Sequence, residues 1–374
     1  MHMKKAGAIF AFNFRFYYKN KLMNIFQKQF ILKGLVLQFL TLVTGFLLSS
    51  CSFSKEEDLK KVSYFSIDST RVQTGGATMI PVTTSTGKYN VWTKRIGNNP
   101  KMKVLLLAGG PGFPHDYFEV FESFFPAEGI EFYYYDELGS GNSEKPNDTT
   151  RYNINSAVEE VEQVRKALHL EKDNFYLYGH SWGGVVAMEY AVKYQNNLKA
   201  MIVSNMCSSG KEFNRYIQQE LVKQIPADAL ARIDNLTKNN DFENPEYMSL
   251  VTEHFYTKFV CRMPIEKWPE PLTRALAKLN KDYYMKLQGP SEFGIIGSLK
   301  DWDISNRLNK ISIPTLMIGA KYDEMDPKHI QWMSKQVKQG DYLYCAHGSH
   351  LSMYDEQGYY MKGVIDFIKK VNDK

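Results

Sequence analysis

The sequence predicts an α/β fold, a mainly parallel sheet with helices on both faces and an inserted helical cap. Three observations carry this. From about residue 76 short β-rich runs alternate with stretches of helical periodicity, the order that builds a parallel sheet covered by helices. At residues 206–298 that rhythm breaks into helical stretches punctuated by Pro226, Pro245, Pro264, Pro269 and Pro271, as an insert lying over the strand ends would read. Between a strand and a helix stands Gly179-His180-Ser181-Trp182-Gly183, whose small outer residues suit a sharp turn that lifts a serine free of the sheet.

The elements follow in order. Two opening strands, 78–84 and 89–96, flank Ser85-Thr86-Gly87-Lys88, a hairpin signal. Residues 103–107, continuously apolar after Lys103, form a strand that runs into Gly109-Gly110-Pro111-Gly112, and 131–135 a strand leading to Asp136-Glu137-Leu138-Gly139. Residues 155–168 repeat apolar side chains every three or four positions and read as a helix capped by Asn153 or Asn155. Then come a strand at 175–178, a helix at 183–194 and a strand at 198–203. After the insert the sheet resumes at 315–318, with a helix at 328–337, a strand at 341–345 and a last helix at 358–371. The expected organisation is a signal segment at 1–50, a linker at 51–75, a core at 76–205 and 299–374, and a helical cap at 206–298.

Charge separates the start of this 374-residue chain from the rest. Of its 46 Lys and Arg, seven fall in residues 1–50, which hold no Asp or Glu; the remainder carries 39 basic against 41 acidic residues. With no basic face to release counterions, nucleic acid is excluded as an expected partner. The uncharged run from Gly34 to Ser50 is shorter than a comfortable bilayer span and suits the apolar region of a secretory signal. It ends in Leu48-Ser49-Ser50-Cys51, which resembles the lipobox of bacterial lipoproteins and implies a lipid on Cys51, cleavage before it, and a membrane-tethered protein of the bacterial cell envelope. The acidic tract at Glu56-Glu57-Asp58 reads equally as a surface-export tag and as a solvated linker. The remaining cysteines, Cys207, Cys261 and Cys345, match neither a disulfide framework nor a zinc site. No metal or nucleotide-cofactor motif occurs, so no cofactor is expected.

A serine hydroxyl needs a base, and of eight histidines only His347 and His350 lie after the last strand, where a loop can reach Ser181. Small residues ahead of it in Gly348-Ser349-His350 favour His350. The carboxylate that fixes the histidine tautomer should follow the strand that resumes after the insert; Asp323 does, with Asp326 as the second candidate. The order Ser181, Asp323, His350 is that of the α/β-hydrolases. An oxyanion hole would draw one backbone N–H from Gly110 and one from Trp182.

The chain resembles the proline iminopeptidases and the related tricorn-interacting aminopeptidases over roughly residues 76–374. The marks are Gly109-Gly110-Pro111-Gly112, Asp136-Glu137-Leu138-Gly139-Ser140-Gly141, Gly179-His180-Ser181-Trp182-Gly183-Gly184, Gly289-Pro290-Ser291-Glu292-Phe293, Asp301-Trp302-Asp303, Tyr322-Asp323-Glu324 and Gly348-Ser349-His350. The resemblance implies that Glu292 and Glu324 bind the free α-amino group of a substrate, making short peptides with a free N-terminus the expected partners and proline a candidate first residue. Physically, a lid-covered ammonium needs compensating carboxylates. Two positions depart from the family: Ala108 where it usually has His, and Glu137 where it usually has Gln. An esterase or amidase would use the same triad with the two glutamates incidental, and a non-catalytic binding protein on the same scaffold is the reading the intact triad opposes. Nothing in the sequence speaks to oligomeric state.

Overall fold

The computed structural model describes residues 74–374; the signal segment and Cys51 lie outside the described residues. Eight strands form one sheet: β1 (Ala77–Thr84), β2 (Gly87–Ile96), β3 (Lys103–Leu107), β4 (Glu131–Tyr135), β5 (Phe175–His180), β6 (Ala200–Ser204), β7 (Pro314–Ala320) and β8 (Gln339–Cys345). Their spatial order is β1-β2-β4-β3-β5-β6-β7-β8. β1 pairs antiparallel with β2, and β2 antiparallel with β4. From β4 to β8 every pairing is parallel.

The central strands are largely apolar, as in Val104–Leu107 and Phe132–Tyr135, because both faces of the sheet are covered. Side chains alternate along each strand and feed two cores. Leu105, Leu107, Tyr133 and Tyr135 join one cluster, with Val158 and Val161 of α1 (Ile154–Ala167) and Val185 and Met188 of α2 (Trp182–Tyr194). Val104, Leu106, Phe132 and Tyr134 join the other, with Phe118 and Phe121 of a 3-10 segment, His115–Ser123. Asn153 caps α1, its side chain accepting from Ser156 N. The edge strand β1 instead buries only Ile80 and Val82, the alternation of a strand with one solvated face.

Between β6 and β7 the described chain makes no strand. It forms α3 (Gly210–Tyr216), α4 (Ala227–Lys238), α5 (Pro245–Val251), α6 (Glu270–Ala277) and α7 (Lys281–Leu287), with π-helical turns extending α3 and α5. Cap residues start these helices: Ser209 accepts from Glu212 N, Asn244 from Glu246 N with Pro245 at the first position, and Asn280 from Tyr283 N. The neck of the insert closes through Gly210 N to Trp302 O (3.0 Å) and Ile304 N to Ser208 O (2.9 Å). Gly210 is needed there, since a Cβ would lie 2.2 Å from Leu299 O. On its far side the insert is fastened to the core: Arg274 of α6 binds Asp116 and Glu119, each at 2.7 Å, and Lys278 binds Asp116 at 2.6 Å. After β7 come α8 (Pro327–Gln336), a short α9 (Ser352–Asp355) and α10 (Gln357–Asn372), whose Tyr360, Met361, Val364 and Ile368 complete the second core.

Candidate active site

Ser181 stands at the turn between β5 and α2 with φ 53° and ψ −123°. A non-glycine residue in that region is strained by about 1–3 kcal/mol and is held by its surroundings. Here Ser181 N donates to Ser204 O on β6 at 3.0 Å, and Gly184 N donates to Ser181 O at 2.7 Å. The two flanking glycines have no alternative: a Cβ on Gly179 would lie 2.1 Å from Gly183 O, and one on Gly183 2.2 Å from Leu107 O. The motif's spacing is thus a packing demand of the turn that presents the hydroxyl.

His350 and Asp323 meet: His350 Nδ1 lies 2.9 Å from Asp323 Oδ1. Asp323 is fully buried in the loop after β7, and its other oxygen accepts from Asn205 Nδ2 at 2.7 Å. Asn205 directly follows β6 with φ 53° and also reaches Ser349 O at 3.2 Å. The loop of His350 is tied to the insert, His350 N donating to Phe259 O and Leu351 N to Val260 O, both at 2.9 Å. Of the alternatives, Asp326 caps α8 and pairs with Arg215 at 2.9 Å, and His347 is exposed.

The Gly109–Gly112 loop packs against the serine, a Cβ on Gly109 falling 3.1 Å from Ser181 Cβ. Gly110 has φ 109° and would bring a Cβ to 2.8 Å from Phe113 N, so only glycine serves there. Gly109 N is already spent on Tyr117 Oη at 2.7 Å. Trp182 opens α2, where a first-turn N–H has no partner within the helix. Tyr117 Oη lies 3.1 Å from His180 Nδ1, and His180 Nε2 lies 2.9 Å from His350 O. Since that carbonyl only accepts, His180 carries its proton on Nε2 and Tyr117 donates to Nδ1. A single chain of bonds therefore runs from the Gly109 backbone to the backbone of His350. Burial, then the charge of His350, pushes the His180 imidazole well below its ordinary pKa, opposed by the bond to His350 O.

Glu292 and Glu324 come together at the same place. Glu324 is fully buried, and apart from the Glu292 carboxyl that faces it neither of its oxygens meets a hydrogen-bond partner. Its Oε1 lies 3.4 Å from His350 Nε2. Glu292 accepts from Tyr284 Oη at 2.5 Å and Gln288 Nε2 at 3.1 Å, and its backbone N donates to Tyr256 Oη at 3.1 Å. Burial raises both carboxyls; for Glu324 the charges of Glu292 and then Asp323 add to it, while for Glu292 the charge of His350 opposes it. Two enclosed carboxyls facing each other are each harder to ionise than in water. Ser181, His350, Gly110 and Glu292 line one cavity of about 440 Å³, roofed by the insert through Trp268, Leu272 and Tyr284. Among the described residues no group of three or more His, Cys, Asp or Glu side chains could hold a metal ion.

Ser181, Gly110, Asp323, His350, Glu292 and Glu324 come together here, with Trp182 next to the serine, while Asp326 and His347 lie apart. The sequence reading missed Asn205, Tyr117, Tyr256 and Tyr284. Only Asn205 carries a signal of its own, an asparagine directly after an apolar strand, where left-handed backbone is tolerated.

Residues 103–357 match the model of the alpha/beta hydrolase fold family, and a nucleophile turn at the strand ends of a parallel sheet is the arrangement this fold supplies. The chain belongs to that family and is a serine hydrolase. A proline iminopeptidase of Chitinophaga pinensis is 68% identical over 295 residues, spanning 79% of this chain and 99% of the relative. One of Flavobacterium johnsoniae is 54% identical over 296 residues, with the same coverage. Among solved structures, VinJ superposes with a TM-score of 0.72 at 25% identity, covering 79% of this chain and 99% of VinJ. Within the α/β-hydrolases the chain belongs to the proline iminopeptidase family, and it is an aminopeptidase.

Proposed function

We propose that the enzyme removes an N-terminal residue, proline foremost, from short peptides through an acyl-enzyme on Ser181. The observation that carries this is the enclosed pair Glu292 and Glu324 beside His350, a site short of one positive charge. The substrate's α-ammonium seats between the two carboxyls, which sets the first peptide carbonyl against the serine. Ser181 Oγ attacks that carbonyl carbon while His350 Nε2 takes the hydroxyl proton. Asp323, itself held by Asn205, steadies the imidazolium, and the Gly110 and Trp182 N–H groups receive the oxyanion. The tetrahedral intermediate collapses, the C–N bond breaks, and His350 gives its proton to the leaving amine. Water then repeats the sequence against the acyl-enzyme. An ammonium on Glu324 also draws Oε1 away from His350 Nε2, leaving that nitrogen to Ser181.

Proline as the released residue is supported by the names of the relatives and by the apolar walls at Phe113, Trp268 and Leu272. The roof over the cavity supports short substrates. Fluorogenic amides of proline, alanine and leucine test the preference: the expected result is proline favoured by about ten-fold or more, the scale on which a shaped apolar pocket discriminates. A stronger alanine or leucine amide would overturn the proline assignment.

The lipid anchor on Cys51 is part of the same proposal. It is supported by the seven basic residues, the uncharged run from Gly34 to Ser50 and the Leu48-Ser49-Ser50-Cys51 tract. Several acyl chains on one cysteine anchor stably where one does not. The expected outcome is a membrane-bound protein that Cys51→Ser releases. An unmodified Cys51 at the mature N-terminus in mass spectrometry would overturn it.

A further inference from the structure

Glu137 lies just past the end of β4, and the attack of Ser181 on a carbonyl makes no use of it. Yet its carboxyl bridges two parts of the site. Oε2 accepts from the indole Nε1 of Trp182 at 3.1 Å, and Oε1 accepts from Tyr283 Oη of α7 at 2.6 Å. Trp182 is the residue whose backbone N–H the proposed mechanism gives to the oxyanion. Tyr283 stacks on Tyr152 with centroids 4.1 Å apart and meets Trp182 edge-on at 6.1 Å. The start of α7 is sewn to the core around this point: Asn280 N donates to Gly112 O at 3.1 Å, and Asn280 Nδ2 to Gly139 O at 2.7 Å. The next residue along, Tyr284, is the one that donates to Glu292. Two neighbouring tyrosines of one helix thus reach the carboxyl that holds Trp182 and the carboxyl on the amine side of the cavity. Behind the loop Ala108, Glu137, Trp182 and Gly183 line a void of only about 10 Å³, so the Glu137 carboxyl and the indole are packed against each other.

We propose that Glu137 is a positioning residue that locks Trp182 and the cap residue Tyr283 into one unit, so that the rate of acyl transfer depends on its carboxyl while substrate affinity does not. The inference rests on Ser181 as nucleophile and not on which residue is released. Its ionisation state matters. A charge here sits on the indole of Trp182, the residue whose backbone N–H is assigned to the oxyanion, and opposes the negative charge developing there, whereas the neutral acid still offers Trp182 an acceptor. The groups that face the carboxyl are Glu160 of α1, Tyr135 of β4, Tyr283 of α7, and Arg151, which is paired with Glu160 at 3.0 Å. Burial first, then the charge of Glu160, pushes Glu137 up to about 7, while the bonds from Tyr283 and Trp182 and the charge of Arg151 pull it down. The carboxyl therefore titrates within the working range of a hydrolase.

A simple ester such as 4-nitrophenyl acetate has no amine, so its turnover reports the acyl-transfer machinery whether or not the aminopeptidase reading stands; Ser181→Ala confirms that the turnover belongs to this site. Glu137→Leu is expected to lower kcat by about ten-fold with KM within about two-fold, the signature of a lost transition-state interaction. Glu137→Gln, which keeps an acceptor for Trp182, is expected to recover most of that loss. In the wild type, ester kcat should stop rising or fall as pH passes about 7, and in Glu137→Gln it should go on rising as His350 deprotonates. A wild-type kcat in Glu137→Leu, or a loss confined to KM, would overturn the inference. If Glu137→Leu does not fold, the pH profile of Glu137→Gln decides alone: a profile identical to that of the wild type overturns it.

Discussion

Replacing Glu324 with glutamine removes one charge from the ammonium site and little else. The two side chains have the same length, and Glu324 is fully buried with no donor to lose. The new amide can donate to Glu292, so the empty site is expected to become better satisfied, and the protein to be no less stable than the wild type. The cost appears when substrate binds. A desolvated ammonium that loses one of its charged partners typically forfeits about 2–5 kcal/mol. The lower end applies, because Glu292 remains. About 2 kcal/mol is roughly thirty-fold in kcat/KM. The assay compares a prolyl amide with 4-nitrophenyl acetate in the wild type, Glu324→Gln and Glu292→Gln. Glu292→Gln should fall as far or further on the amide, since Tyr284 and Gln288 orient that carboxyl. Ester turnover should change by no more than about two-fold. Equal losses on both substrates would refute the reasoning and make the glutamates supports of His350, from which Glu324 Oε1 is only 3.4 Å distant.

Ser181→Ala should abolish hydrolysis of both substrates while circular dichroism and the melting temperature stay near wild type, since it deletes one oxygen and relieves no close contact. Asn205→Ala removes the 2.7 Å bond to Asp323; a bond to a charged group contributes about 1.5–3 kcal/mol, so kcat should fall by about ten-fold or more with KM little changed. Stability should decline as pH rises from about 4.5 to 7, because Glu137 ionises near 4.5 in the unfolded chain and near 7 in the folded one, so the unfolded state binds fewer protons across that window. In Glu137→Gln this contribution, at most about 3 kcal/mol, should vanish, and urea midpoints at pH 5 and pH 8 would show it.

Much of this molecule was legible in its sequence for reasons that are local. The strand of residues 103–107 is apolar at every position after Lys103 because both faces are covered, and it appears unchanged as β3. The glycines at 179 and 183 stand where a Cβ would meet a carbonyl oxygen within about two ångströms, so the turn advertises itself. The pairing of His350 with Asp323 followed from chain order, although 27 residues separate them. What stayed hidden depends on contacts between distant segments. Tyr117 matters through His180, 63 positions away, and Tyr283 through Glu137, 146 positions away; a tyrosine in an amphipathic stretch looks the same whether it fills a core or orients a carboxyl. Glu137 could be noticed only as a departure from a family pattern, and its link to the oxyanion side required the fold.

The central claim, that the free amine of the substrate is what this site recognises, is tested most directly with the wild-type enzyme and two substrates that differ by one acetyl group. A prolyl fluorogenic amide offers an ammonium to Glu292 and Glu324. Its N-acetyl derivative offers none and leaves two enclosed carboxyls without a partner. With about 2–5 kcal/mol at stake, kcat/KM for the free amide should exceed that for the acetylated one by roughly thirty-fold at least. Equal cleavage of the two would contradict the account and leave an esterase or amidase with the same Ser181, His350 and Asp323.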